Sequence, residues 1–406
     1  MAVNLPPLTE LHPVSGIRLG TAMAGIRKRD RRDLVVIECA TGTRAAAVFT
    51  QNRFCAAPVL VARGHLGAAQ PRALVINTGY ANAGTGEPGM HDAVACCEEL
   101  AQRIGVRASE ILPFSTGVIG ERLPVERIIA GLSSCIATLD ERGWADAASG
   151  IMTTDTLPKG SSVCGEIGGT VVTVTGIAKG SGMICPNMAT MLTFVATDAS
   201  VGQAALDALV RSAARVSFNR ITVDGDTSTN DSCILLATGR AGNPQIERPE
   251  GATYQALSEL VTRVFTELAQ AVIRDAEGAT KFITIEVSGG RSEDECLEVA
   301  QTIAHSPLVK TAFFASDPNW GRILAAVGRA RIGRLDVGSV SIHLNGACIV
   351  RGGARAPEYT EAQGRAVMAE AEITLQVDLG AGSATTRLWT SDLSHEYIRI
   401  NAEYRT

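Results

Sequence analysis

The chain has 406 residues, enough for two domains and a large core, since 46% of its residues are hydrophobic. Its 37 basic and 42 acidic residues leave a net charge of −5 with no basic tract, which argues against a nucleic-acid partner. No apolar run approaches the ~20 residues that span a bilayer, and the opening Met-Ala-Val-Asn-Leu-Pro-Pro-Leu-Thr lacks the basic start and apolar core of a secretion signal, so a cytoplasmic protein with no membrane partner is expected.

Aromatic residues are scarce at 4%, and Ala, Val and Gly are abundant, a balance that suits a tightly packed α/β enzyme. Ten cysteines are scattered without a C-x-x-C pair. That spacing speaks against zinc and redox sites and for reduced thiols.

In chain order, residues 1–30 are punctuated by Pro and Gly and are expected to wrap an edge. Residues 34–38 and 46–50 read as paired strands, and 73–77 as a short apolar strand. The small polar residues 77–86 form either a backbone cradle or an ordinary turn. A helix is expected over 88–105, with Val94, Leu100 and Ile104 inward and Gly105 as its stop. Residues 111–120 run from an apolar strand into Ser115-Thr116-Gly117 and a glycine turn. A Thr-Gly pair can aim a hydroxyl and a backbone N–H at one point, as an oxyanion hole requires; the same pattern also makes a plain turn. Residues 127–139 look helical, and Ile151-Met-Thr-Thr-Asp-Thr156 is a polar cluster ahead of Pro158.

The central stretch, 176–198, follows a strand-like run over 170–175. Gly176, Gly180, Gly182 and Pro186 punctuate it, then Ala189-Thr190 precedes a second apolar run. Such a loop can present Thr190 at a sheet edge. A hydroxyl is a weak nucleophile and needs a base. A chain that begins with Thr carries one, because a free α-amine titrates near ~8. Cleavage between Ala189 and Thr190 would create that base. Residue types alone leave Thr190 open between a strand or cap residue and a nucleophile.

Beyond it, 203–216 is an amphipathic helix with Leu206, Leu209, Val210 and Ala213 on one face. Asp224, Asp226 and Asp231 invite a cation-site reading, but the spacing lacks the closing Glu of a calcium loop, so a hydrogen-bonded turn network is expected and no metal. The clearest helix is 253–275, with Leu257, Val261, Phe265, Leu268 and Val272 in one stripe, running out at Glu277-Gly278. From 280 the pattern turns to strands and helices in succession: strands at 283–287, 340–344 and 373–379, helices from a Ser292/Glu295 capping box, at 323–328 and at 358–371. This reads as a smaller lobe over about 280–390. The tail 391–406 carries alternating apolar residues and is expected to close over a site. There is no Gly-Lys-Ser/Thr phosphate loop, no G-x-S-x-G elbow and no second His for His395-Glu396, which removes the usual NTPase, serine-hydrolase and zinc-protease readings.

Taken together, these stretches resemble the ornithine acetyltransferase family, the bifunctional glutamate N-acetyltransferases of arginine biosynthesis. The resemblance covers essentially the whole chain. It rests on Lys179-Gly-Ser-Gly-Met-Ile-Cys-Pro-Asn-Met-Ala-Thr-Met-Leu192, Ser115-Thr-Gly117, Asp224-Gly-Asp-Thr-Ser-Thr-Asn-Asp231, Asp317-Pro-Asn-Trp-Gly-Arg322 and the terminal Tyr-Arg-Thr. Tyr80 and Gly84 stand where Asn and Cys are common in the family.

The resemblance implies an α/β/β/α layered fold of the self-cleaving N-terminal-nucleophile type, with a smaller C-terminal α/β lobe. It implies cleavage between Ala189 and Thr190 into an alpha chain, 1–189, and a beta chain, 190–406, assembled as α2β2. Thr190 is the implied nucleophile, Thr116 and Gly117 the oxyanion hole. Substrate contacts fall on Thr153, Lys179, Thr190, Glu277, Asn401 and Thr406. The implied reaction moves acetyl from N-acetylornithine to glutamate through an acetyl-Thr190 ester, without a cofactor; acetyl-CoA is a candidate second donor. Two rivals differ in class: an aminopeptidase or amidohydrolase on the same scaffold, and a non-enzymatic binder of a small amino acid.

Overall fold

The computed structural model describes residues 2–185 and 191–403. The chain opens with β1 (Ile17–Ala22), β2 (Leu34–Cys39), β3 (Arg44–Phe49), α1 (Ala57–Ala68), β4 (Ala73–Tyr80), α2 (Gly86–Ile104), β5 (Ile111–Val118), α3 (Val125–Ala137), α4 (Trp144–Gly150), β6 (Lys159–Ile167) and β7 (Thr170–Lys179). It continues with β8 (Leu192–Thr197), α5 (Gln203–Val216), β9 (Ile221–Thr222), β10 (Ser232–Ala237) and α6 (Ala252–Arg274). It ends with β11 (Phe282–Gly290), α7 (Glu293–Ala304), α8 (Pro307–Phe314), α9 (Trp320–Gly328), β12 (Ser341–Leu344), β13 (Ala347–Arg351), β14 (Ala354–Arg355), α10 (Glu361–Ala369), β15 (Glu372–Asp378), β16 (Ala384–Ser391) and α11 (His395–Ala402).

Two sheets face each other. One has the order β1-β2-β4-β5, the other β3-β10-β8-β7-β6. Leu19, Ile37, Ile76 and Phe114 of the first interlock with Ile177, Phe194, Ile234 and Leu236 of the second. Phe114 and Phe194 meet edge to face across this seam, 5.1 Å between ring centres. The outer face of the first sheet carries α2 and α3 through Cys96, Leu100, Ile128 and Leu132. The outer face of the second carries α5 and α6. The layers are therefore α/β/β/α. The stripe expected on α6 is fully buried at all five positions, and each such side chain contributes about 1.5–3 kcal/mol. Gly105 takes the left-handed conformation at φ 71° and stops α2.

The remaining strands make a third, seven-stranded sheet, β14-β13-β12-β15-β11-β16-β9. Helices α7, α8 and α9 cover it through Ile303, Phe313 and Ile323. Its last strand, β9, comes from upstream of residue 280 and ties this lobe to the sandwich.

Several expectations need correction. Residues 34–38 and 46–50 do not pair: β2 lies inside the first sheet, while β3 is an edge of the second and pairs with β10. Leu34 to Ile37 are buried on both faces, as suits a strand between two neighbours, and the turn at 40–43 carries the chain from one layer to the other. Only half of the Ser292/Glu295 box forms. Ser292 Oγ accepts from Glu295 N, but the Glu295 carboxylate accepts from Arg291 N instead. The helix expected over 358–371 is shorter, α10, because Thr360 and Gln363 form a capping box at its start. The alternating tail is helical, as α11. Helices α1 and α8 and strands β1 and β6 carried no sequence signal that singled them out. Among the described residues, no helix is long and apolar enough to cross a membrane.

Candidate active site

The two sheets bring different strand ends together at one edge. Strands β4 and β5 run parallel, with Thr78 opposite Thr116 and Gly79 opposite Gly117. Strands β8 and β10 also run parallel, Leu192 opposite Ser232, and Lys179 at the end of β7 lies opposite Leu192. A cleft of about 210 Å³ opens here, lined by Thr116, Gly117, Thr153, Lys179, Glu277 and Asn401 among others. Six residues separated by up to 285 positions in sequence, from Thr116 to Asn401, thus share one cavity. Ala189, Thr190 and Thr406 lie outside the described residues. Met191, the next residue after Thr190, donates its N–H to Asp231 Oδ1 at 2.9 Å and accepts from Ser232 N at 3.1 Å.

Between the two sheets, Lys179 Nζ donates to Thr116 Oγ1 at 3.1 Å. A hydroxyl accepting from an ammonium directs its own proton elsewhere. Gly117 sits at φ +139°, and a Cβ there would come within 2.2 Å of the Gly79 backbone. Only glycine fits that approach. Asn230 pins this strand end: its Nδ2 donates to Ala81 O at 2.6 Å and Ser115 O at 2.9 Å, and Ser115 Oγ donates to Asn77 Oδ1 at 2.6 Å. The small polar stretch after residue 77 is therefore part of the cleft wall, with Ala81 in its lining.

Below the cleft lies a buried charge network. Lys159 Nζ, wholly inaccessible, donates to Asp155 Oδ1 at 2.7 Å and Asp275 Oδ2 at 2.6 Å. Asp155 also accepts from Thr153 N and Gly180 N. Burial pushes Asp155 up, but the Lys159 and Lys179 ammoniums outweigh it and hold the carboxyl well below the usual range. Lys179 itself is pulled below its ordinary value, chiefly by burial. Asp275 accepts from Thr156 N and Leu157 N, so α6 and the 153–157 loop are locked together.

Glu277 follows α6 and its carboxylate accepts from Asn401 Nδ2 at 2.8 Å. A Cβ on Gly182 would lie 2.4 Å from Glu277 Oε2, so the carboxylate occupies the space that a side chain at 182 would need. Asp224 accepts from Met183 N, Ile184 N and the Tyr397 hydroxyl, which links the segment before the central loop to α11. Asp224 also accepts from Asp226 N, so this stretch forms the hydrogen-bonded turn network expected of it. Sequence reasoning did not single out Asp155, Lys159, Asp275 or Asn230, and it read Gly182 only as backbone punctuation. Asp275 and Asn230 carry polar side chains whose partners lie far away in the chain; Asp155 and Lys159 are four residues apart, and only their burial marks them.

Two sheets packed face to face between helical layers, with polar groups converging where parallel strands end, define a four-layer α/β/β/α fold with a candidate active site at one sheet edge. The comparisons give the family. The ArgJ family model matches residues 18–406. The arginine biosynthesis bifunctional protein ArgJ of Pseudomonas syringae pv. tomato is 57% identical over 406 residues, covering 100% of both chains. Among solved structures, an arginine biosynthesis bifunctional protein from Bacillus halodurans is 34% identical, covering 50% of this chain and 95% of that one, with a TM-score of 0.49. An ornithine acetyltransferase from Mycobacterium tuberculosis, complexed with ornithine, is 33% identical, covering 44% of this chain and 94% of that one, with a TM-score of 0.39. The chain belongs to the ArgJ family and is an acetyltransferase of arginine biosynthesis.

Proposed function

We propose that this chain cuts itself between Ala189 and Thr190 and then uses Thr190 to carry acetyl from N-acetylornithine to glutamate. Thr190 Oγ1 attacks the Ala189 carbonyl, an ester forms, and water releases chains 1–189 and 190–406. The new α-amine serves as base for the neighbouring hydroxyl. N-acetylornithine acylates Thr190 and ornithine leaves. Glutamate's amine then takes the acetyl group, a ping-pong cycle. Thr116 and Gly117 supply the donors for the tetrahedral oxyanion in both reactions. Lys179 and Glu277 are the charged groups for the substrate's carboxylate and ammonium, with Thr153, Asn401 and Thr406 completing the pocket.

The observation that carries this reading is the convergence of Thr116, Gly117, Thr153, Lys179, Glu277 and Asn401 on one cleft, beside the strand that begins two residues after Thr190. A second cleft of about 210 Å³ shares Gly117, Val118, Thr153 and Thr154 with the first and is lined by Arg27, Lys28 and Arg31. Asp33 and Glu403 line it as well and Arg27 is paired with Glu121, so acetyl-CoA as a second donor rests on the family resemblance alone. Assembly as α2β2 and a cytoplasmic location belong to the same reading.

The test is a denaturing gel with amino-terminal sequencing. Wild type should run as two chains, the second starting at Thr190, and Thr190→Ala as one 42.5 kDa band. An intact yet active wild type overturns the scheme. Ornithine release that proceeds equally with and without glutamate would instead favour the hydrolase. Product from acetyl-CoA and glutamate without acetylornithine tests the second donor.

A further inference from the structure

Asn230 takes no part in the mechanism above, yet it is buried, lines the cleft and grips the first sheet where that sheet meets it. Its Nδ2 donates to Ser115 O at 2.9 Å and to Ala81 O at 2.6 Å, and its Oδ1 accepts from Thr229 Oγ1 at 2.6 Å. Both groups that face Nδ2 are carbonyls, which fixes the way round the amide sits. The turn that carries it is tied down as well. Asn230 N donates to Ser228 Oγ, Ser228 O accepts from Thr50 Oγ1, and Thr229 O accepts from Ala56 N. A buried polar network paired in this way rigidifies what it holds.

The two carbonyls bracket Thr116 and Gly117. Ser115 immediately precedes them on β5, the edge strand of its sheet. Thr78 N, the β4 group next along from Asn77 opposite Ser115, bonds to Asp33 O instead, so the Ser115 carbonyl takes its donor from Asn230. On the far side Ala81 N donates to Val118 O, which ties the residue after Gly117 to the same clamp. Between these points the β4–β5 register slips, with Tyr80 opposite both Thr116 and Val118. Gly117, at φ +139°, has no side chain to anchor it, and a glycine backbone is the freest of all. We infer that Asn230 is a positioning residue for acetyl transfer, holding Thr116 and Gly117 in place by clamping the chain on both sides of them. This deepens the proposed function and rests on the reading that those two residues are the oxyanion donors. Such donors act by being fixed before charge develops, and a misplacement of ~1 Å costs on the order of 10²-fold. The clamp reaches from the segment 190–406 into 1–189, so after a cut at Thr190 the second chain sets the donors that the first one carries.

The test compares wild type, Asn230→Ala, Thr229→Val and Thr116→Ala as purified enzymes, with active sites counted by the acetyl label taken up from acetylornithine in the absence of glutamate. Calorimetric binding of ornithine reads the ground state. Asn230→Ala should lower kcat per active site on the order of 10²-fold. KM for acetylornithine and the affinity for ornithine should stay within about threefold of wild type, because the interaction lost is one made in the transition state. An Asn230 that only stabilises the fold would lower the melting temperature and the count of active sites but leave kcat per site in place. That result overturns the inference, and so does a loss confined to KM. Thr229→Val keeps the shape and removes only the hydroxyl that orients the amide, so it serves if Asn230→Ala does not fold. Its kcat per site should fall by roughly threefold to tenfold, the worth of one hydrogen bond, and an unchanged value overturns the inference. A wild-type kcat for Thr116→Ala means that the oxyanion reading fails and takes this inference with it. A loss in Thr116→Ala with none in Asn230→Ala sinks the inference alone.

Discussion

Replacing Lys159 by Met is the sharpest test of how the cleft floor is held. Lys159 is wholly buried and its ammonium bridges Asp155 and Asp275 at 2.7 and 2.6 Å. Met fills a similar volume but leaves two buried carboxylates without their shared counter-ion. Removing one partner of a buried pair costs about 3–5 kcal/mol. The cost should not double, because each carboxylate keeps other donors: Thr153 N and Gly180 N for Asp155, Thr156 N and Leu157 N for Asp275. Asp155 also keeps the attraction of Lys179. At ~1.4 kcal/mol per tenfold, the folding equilibrium should fall by roughly a hundred- to a few thousand-fold.

Urea unfolding in the Thr190→Ala background, where one covalent chain is expected, measures this without chain dissociation. The pH dependence has a definite sign. Asp155 has a folded value below its unfolded one, so its contribution is present above the ordinary carboxylate range and is lost as pH falls through the folded value. Lys159 is raised by its two carboxylates in spite of burial, so its share persists until pH climbs past its ordinary value. The penalty of Lys159→Met should therefore shrink in acid, where the stranded carboxyls can take protons. Adding Asp275→Asn should recover a large part of it at pH 7. A loss under about 1 kcal/mol, or one unchanged between about pH 4 and 7, would refute the reasoning.

Other outcomes are equally specific. Gly182→Ala forces a methyl to 2.4 Å from Glu277 Oε2, so the carboxylate must leave its place and the Asn401 bond with it; KM for acetylornithine should rise strongly while Thr190 processing persists. Thr116→Ala should slow processing and acetyl transfer together, by about 10²–10³-fold each if both use one oxyanion hole; a gel time course and a ping-pong assay that part company would separate the two reactions.

Some of this protein is written locally. The α6 stripe from Leu257 to Val272, the Gly105 stop and the apolar runs of β2, β4 and β5 follow from spacing, because a helix face or a buried strand is set by residues close in sequence. Ser115-Thr116-Gly117 is legible in the same way as a strand end. Asp224 and Asp231 could be seen as a polar turn, but not that Asp224 would strap α11 to the loop before residue 185, nor that Asp231 would be sealed beside Met191. The sequence reading paired β3 with β2, and the sheets overturn it, because β3 joins β10 in the facing layer.

What tertiary structure decided is the pairing of groups that have no local reason to meet. Lys159 finds Asp275 across 116 positions and Asn230 finds Ser115 across 115. These contacts exist because two parallel strand pairs in facing sheets end at the same edge, and a low-polarity interior lets a buried charge or amide persist only where its partners are waiting. Sequence patterning sets which faces turn inward; the stacking of the layers sets which polar side chains are then trapped together, and that trapping makes the cleft.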